Sequence, residues 1–201
     1  MTVFAGASSQ ASDRFVRAAA AFGRDLAEAG VGVVYGGGNV GLMGAVADGA
    51  LAAGGEVVGV MPQSLVDAEI AHPGLTSLHI VGSLHERKAE LARLGDGFVA
   101  LPGGAGTLEE LFEAWTWQQL GLHAKPVALL NIDGYWDPLL QALDEMASSG
   151  FVRPADRESL IVADNAEALL TAMAAFTPPR HKYDNTPRPA VTPETATAAE
   201  A

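Results

Sequence analysis

Short apolar runs alternate along this chain with longer stretches whose apolar residues recur every three or four positions. The runs at 3–5, 31–35, 57–61, 78–81, 98–101, 126–131 and 160–162 have the length of buried strands. The stretches at 13–29, 41–53, 83–94, 108–120, 136–148 and 166–176 have helical spacing. In the first of them Phe15, Ala18, Ala19, Phe22, Leu26 and Ala29 share one face. Residues 63–74 follow neither period and read as irregular, with room for one helical turn. Strands that alternate with helices imply a parallel sheet with right-handed crossovers. Several strands are apolar throughout, as burial on both faces requires. The expected fold is therefore α/β, a single doubly wound parallel sheet with helices on both faces, covering residues 1–176. Beyond it Pro178, Pro179, Pro187, Pro189 and Pro193, with Thr and Ala between them, read as a disordered tail over 177–201.

In a doubly wound sheet, ligands bind at the carboxyl ends of the strands. Three small-residue turns fall at such ends: 6–9, 36–39 and 103–106. The third lies in Pro102-Gly103-Gly104-Ala105-Gly106-Thr107-Leu108-Glu109-Glu110, between a strand and a helix. Glycines there admit positive φ and close approach of a ligand, and the free N–H groups of a helix start attract anions. Thr107 and Glu110 also match a capping box, which needs no ligand. Both readings stand at this level. Glu109 and Glu110 would repel a bound phosphate, so such a site needs cations or must turn one carboxylate elsewhere. Ser83-Leu84-His85-Glu86-Arg87-Lys88 opens another helix, with Ser83 and Glu86 as its capping box. Arg87 and Lys88 oppose the dipole there. They are either a solvated pair or the cations that face the anion site.

Composition narrows the partners. The chain has 201 residues, 49% hydrophobic and 18% charged, with 24 acidic against 12 basic residues and a formal charge of −12. Such a surface repels nucleic acid polymers and anionic membranes, so a phosphate site must be local. There is no cysteine, hence no disulfide and no thiolate nucleophile, in keeping with a reducing cytoplasm. No apolar run approaches the roughly 18 residues of a membrane span, and no basic-then-apolar leader precedes the first strand.

Several chemistries lack their residues. Gly36-Gly37-Gly38-Asn39-Val40-Gly41 satisfies G-x-G-x-x-G, but it follows the second strand, and the next strand ends Val60-Met61-Pro62 without the acid that holds a ribose hydroxyl. It reads as a close-packing turn or a second wall of the same pocket. No zinc spacing exists among His72, His79, His85, His123 and His181. No G-K-[ST] follows a glycine turn. Lys88, Lys125 and Lys182 are the only lysines, a poor supply for a Schiff base. No metal and no cofactor are expected. Trp115 and Trp117 lie in a helix apolar around most of its circumference, which reads as fully buried, by the core or partly by a second subunit.

Three motifs occur in order: Gly36-Gly37-Gly38-Asn39-Val40-Gly41-Leu42-Met43-Gly44, His85-Glu86-Arg87-Lys88-Ala89-Glu90, and Pro102 to Glu110, the last matching PGGxGTxxE. Over residues 2–176 the chain resembles the LONELY GUY (LOG) family of cytokinin riboside 5′-monophosphate phosphoribohydrolases. The resemblance implies a Rossmann-like fold, a homodimer, and hydrolysis of the N-glycosidic bond of a nucleoside 5′-monophosphate to free base and ribose 5-phosphate. It implies Arg87 and Glu110 as the catalytic pair. It implies that Gly103, Gly104, Ala105, Gly106 and Thr107 hold the phosphate, with Leu108 in the same loop. Glu69, Lys88, Glu109 and Thr116 would line the nucleotide. Asp67-Ala68 before Glu69 departs from the usual Pro-Arg, and Gly6-Ala7-Ser8-Ser9 lacks the cysteine often found there. Two other readings remain: a general purine nucleoside-monophosphate nucleosidase, or a carrier that binds a nucleotide or molybdenum cofactor without turnover.

Overall fold

The computed structural model describes residues 1–67 and 71–183. Seven strands form one parallel sheet: β1 (Thr2–Phe4), β2 (Val33–Tyr35), β3 (Val57–Pro62), β4 (Ser77–Val81), β5 (Phe98–Ala100), β6 (Val127–Leu130) and β7 (Leu160–Ala163). Their order is β4-β3-β2-β1-β5-β6-β7. The chain thus runs outward from β1 to one edge, returns, and builds the other half from β5. The reversal between β1 and β5 opens a crevice at their carboxyl ends, because the loops there leave towards opposite faces.

Eight helices cover the sheet within the described residues: α1 (Asp13–Glu28), α2 (Gly41–Ala52), α3 (Gln63–Asp67), α4 (Leu84–Leu94), α5 (Ala105–Gln119), α6 (Asp137–Ser148), α7 (Pro154–Ser159) and α8 (Ala166–Ala174). The strands' period of two divides the core. Val3, Val33, Tyr35, Val57 and Val99 join Phe22, Leu26, Val46 and Leu169 of α1, α2 and α8 on one face. Phe4, Val34, Phe98 and Val127 join Leu91, Leu111, Trp115 and Leu143 of α4, α5 and α6 on the other. Both faces are buried, which is why these strands carry no alternation of polar residues.

The structure departs from the sequence expectations at two helices. Helix α7 was not expected: Pro154 at its start fixes φ, but six residues are too few to show a period. Helix α5 is not buried all round. Thr107, Leu111, Ala114, Trp115 and Gln118 form its buried stripe, Phe112 and Trp117 are half-buried, and Thr116 is exposed. It also starts at Ala105, with Gly104 as N-cap and no side-chain cap. Thr107 is therefore inside the helix, and the Thr107–Glu110 capping box does not form. The cap at α4 does form: Ser83 Oγ accepts from the Glu86 amide at 3.2 Å, and the Glu86 carboxylate reaches back one residue further than in a standard box, to the Gly82 amide at 2.8 Å.

No described helix is long and apolar enough to cross a membrane. Residues 178–183 run back over the fold, where the Lys182 amide donates to the Gln119 carbonyl at 2.8 Å and Arg153 donates to the Arg180 carbonyl at 3.2 Å. The rest of the expected tail, 184–201, lies outside the described residues.

Candidate active site

A crevice of about 820 Å³ opens where β1 and β5 diverge, large enough for a nucleotide-sized ligand. One wall is the β1–α1 loop with Gly6, Ala7 and Ser8, backed by Phe15 of α1. Leu42 and Met43 of α2 and Leu84 of α4 add apolar surface. The floor is the β5–α5 loop, with Gly103, Gly104, Gly106 and Thr107. Arg87, Lys88, Glu109 and Glu110 reach in from the first two turns of α4 and α5.

The glycines of the floor serve space rather than torsion. None of Gly103, Gly104 and Gly106 has positive φ, contrary to the expectation for a glycine turn. A Cβ on Gly103 would overlap the Thr107 hydroxyl, so Gly103 lets the turn close. A Cβ on Gly104 or Gly106 would meet nothing within 4 Å. Those two therefore leave open room beside the N-terminal amides of α5, where an anion can approach backbone closely. The other glycine motif is both a close-packing turn and a second wall of the same pocket. The Leu42 amide donates to the Gly6 carbonyl at 2.8 Å, and a Cβ on Gly41 would run into the backbone of Gly6 and Ala7. Leu42 and Met43 at the same time line the crevice.

Arg87 and Glu110 form the centre. Arg87 Nη1 lies 3.3 Å from Glu110 Oε1, and both side chains are only 15% exposed. Arg87 Nε donates to the Val60 carbonyl of β3, 3.1 Å away. Its guanidinium passes over Gly36, where any Cβ would overlap it. Burial holds the Glu110 carboxyl above its ordinary pKa, opposed by the positive charge of Arg87. Beside this pair Lys88 Nζ donates to Glu109 at 2.5 Å and to Glu113 at 3.0 Å. The hydrogen bond to Glu109, helped by that to Glu113, raises the Lys88 pKa. Arg87 and Lys88 thus face the site, each matched to a carboxylate of α5.

The structure brings together Gly103, Gly104, Gly106, Thr107, Arg87, Lys88, Glu109 and Glu110. Ala105 is exposed at the start of α5, and Leu108 packs into the core beneath it; neither lines the crevice. Thr116 lies on the exposed side of α5, away from the crevice. Glu69 lies outside the described residues. Sequence reasoning passed over Glu113, although Glu109 and Glu113 stand one turn apart on a helix and so present two carboxylates to one cation.

A family model described as "Possible lysine decarboxylase" matches residues 43–173. The chain is 48% identical over 174 residues to the cytokinin riboside 5′-monophosphate phosphoribohydrolase of Rhodococcoides fascians, covering 86% of this chain and 88% of that protein. It is 44% identical over 176 residues to the Arabidopsis thaliana enzyme LOG7, covering 88% and 81%. The chain belongs to the LOG family. Solved structures give the same fold at lower identity. The molybdenum cofactor binding protein of Rippkaea orientalis matches with a TM-score of 0.66 at 24% identity, over 87% of this chain and 94% of that one. The Chlamydomonas reinhardtii molybdenum cofactor carrier protein matches with 0.64 at 22%, over the same shares.

The decarboxylase description has no support in the lysines of this LOG protein. A Schiff-base lysine must lose its proton readily. Lys88 is instead held protonated by two carboxylates. Lys125 Nζ donates 2.6 Å bonds to the carbonyls of Ala92 and Gly95, and Lys182 is exposed near the end of the described chain.

Proposed function

We propose that this LOG-family protein hydrolyses the N-glycosidic bond of cytokinin riboside 5′-monophosphates, and of AMP, to free base and ribose 5-phosphate. The observation that carries the proposal is the meeting of a buried Arg87–Glu110 pair with the open amides of the β5–α5 loop in one crevice. Breaking the ribosyl–nitrogen bond builds positive charge on the sugar. The loop takes the 5′-phosphate on its amides, and Glu110 faces the ribose, where its carboxylate stabilises that charge or activates water. This division resolves the repulsion between the phosphate and the nearby carboxylates of α5. Arg87 keeps Glu110 ionised despite its burial and orients it. Lys88 and Glu109 line the nucleotide, with Ala105 and Leu108 holding the loop. Glu69 and Thr116 complete the substrate set, Thr116 from the partner subunit of a homodimer. Its exposure on the outer side of α5 supports that placement. A phosphorylated substrate, which does not cross membranes unaided, sets the work in the cytoplasm.

The test is incubation with AMP, GMP, CMP and a prenylated AMP, followed by chromatography of the free bases. Release of adenine and of prenylated adenine is expected, and it is expected to vanish in Glu110→Gln and Arg87→Ala. Undiminished release by either variant excludes the assigned roles. Tight retention of a nucleotide or pterin without cleavage identifies a carrier instead.

A further inference from the structure

Tyr135 takes no part in the scheme above, yet it touches the phosphate loop directly. It follows β6 and lines the crevice. Its hydroxyl donates to the Gly103 carbonyl at 2.8 Å. Its ring meets Phe15 of α1 edge-on, with centroids 5.3 Å apart, and Trp136 at 4.8 Å.

The turn that delivers Tyr135 is conformationally costly. Asp133, at φ 51°, is the only non-glycine residue with positive φ among the described residues, and Gly134 follows at φ 71°. Such backbone persists only where its surroundings fix it, and it gathers at functional sites. The fixing groups are visible here. Asn131 Oδ1 accepts from the Trp136 amide at 2.7 Å, and Asn131 Nδ2 donates to Asp137 Oδ1 at 2.8 Å.

An anion-binding loop requires amides that face the ligand and carbonyls that do not. The carbonyls of Pro102, Gly103 and Gly104 are all occupied. Pro102 accepts from the Gly6 amide at 3.1 Å, and Gly104 accepts from the Leu108 amide at 3.1 Å. Backbone supplies both of those donors. The Gly103 carbonyl alone is held by a side chain, that of Tyr135. In a planar trans peptide the Gly103 C=O and the Gly104 N–H point in opposite directions. A donor on the carbonyl therefore also fixes where the Gly104 amide points.

We propose that Tyr135 is a positioning residue for the phosphate subsite, its hydroxyl clamping the Gly103–Gly104 peptide so that the carbonyl is engaged and the amide is free for an anion. The proposal rests on the reading that this loop takes the 5′-phosphate.

Tyr135→Phe keeps the ring contacts and removes only the donor. Its melting temperature should lie within about 3 °C of the wild type, as for loss of one exposed hydrogen bond. Calorimetric titration with ribose 5-phosphate and with adenine, run separately, divides the phosphate subsite from the base pocket. About tenfold weaker ribose 5-phosphate binding is expected, with adenine binding within twofold. In turnover of AMP the same loss should appear in KM, with kcat within twofold. Unchanged ribose 5-phosphate binding overturns the proposal, and so does equal weakening of both ligands, the result of a merely loosened wall. Asn131→Ser, which releases the turn but leaves the hydroxyl, should give the same selective loss, and it decides the matter if Tyr135→Phe fails to fold. A wild type that binds ribose 5-phosphate but releases no base refutes the hydrolase reading and leaves these titrations decisive for Tyr135. A wild type that binds no ribose 5-phosphate overturns both.

Discussion

Arg87, for which a catalytic role is proposed, shows how a side chain is placed by what is missing opposite it. Gly36 carries no side chain where the guanidinium passes, and an alanine there would displace only the far end of a flexible residue. Gly36→Ala should therefore fold and melt close to the wild type but lose base release by about 10²-fold, within the range expected when a catalytic group is misplaced; circular dichroism and the AMP assay check the two halves. Glu110 makes a different demand. Its folded-state pKa is raised by burial. A raised carboxyl stabilises the fold below its unfolded pKa, near 4.3, and that contribution is lost as pH rises through the folded value. At pH 7 the buried charge is a net cost, so Glu110→Gln should melt no lower than the wild type while activity falls about 10²–10⁴-fold. The acid limb of the AMP pH–rate profile should lie above the usual glutamate range. A limb at or below about pH 4.3 contradicts the burial effect. Arg87 and Glu110 do meet in the crevice, and that they belong together was legible through the motifs that carry the family resemblance. The reason for Gly36 was not, because its neighbour Arg87 lies beyond two intervening strands, and no local pattern records a contact made by folding.

Helices α4 and α5 carry Arg87, Lys88, Glu109 and Glu110 in their first two turns, so their axial positions set the geometry of the site. The far end of α4 is tied by Lys125, whose ammonium caps the carbonyls of Ala92 and Gly95. Lys125→Met removes two charge-assisted bonds and should cost about 2 kcal/mol in urea unfolding. The strand–helix alternation was readable because doubly buried strands and amphipathic helices have distinct periods. Helix starts were less so. Thr107-Leu108-Glu109-Glu110 has the letters of a capping box, but the open turn at Gly104 lets α5 begin at Ala105, and Glu110 is drawn to Arg87 instead. The three-residue shift has a chemical result: it turns Glu110 from a cap into a site residue. Helix α7 and the positive-φ turn at Asp133 escaped for the opposite reason, being too short for periodicity and set by tertiary contacts.

The whole molecule carries its own test of the proposed homodimer. Ile80, Leu84 and Leu122 are 51%, 58% and 68% exposed, and Thr116 lies outside the crevice of its own protomer. Sedimentation equilibrium should give twice the 20.7 kDa chain mass, and a monomer at micromolar concentration would leave Thr116 without a substrate to touch. The ion-pair cluster reaches further still. Around the crevice two cations, Arg87 and Lys88, stand against three carboxylates, Glu109, Glu110 and Glu113, on a chain of formal charge −12. An approaching nucleotide dianion consequently meets a repulsive far field and finds attraction only within reach of the α5 amides. Added salt shortens the reach of that repulsion to about 10 Å at 0.1 M while leaving the close contacts largely intact. Capture of AMP should quicken as ionic strength rises from a low value, the reverse of an enzyme that draws its ligand in from a distance.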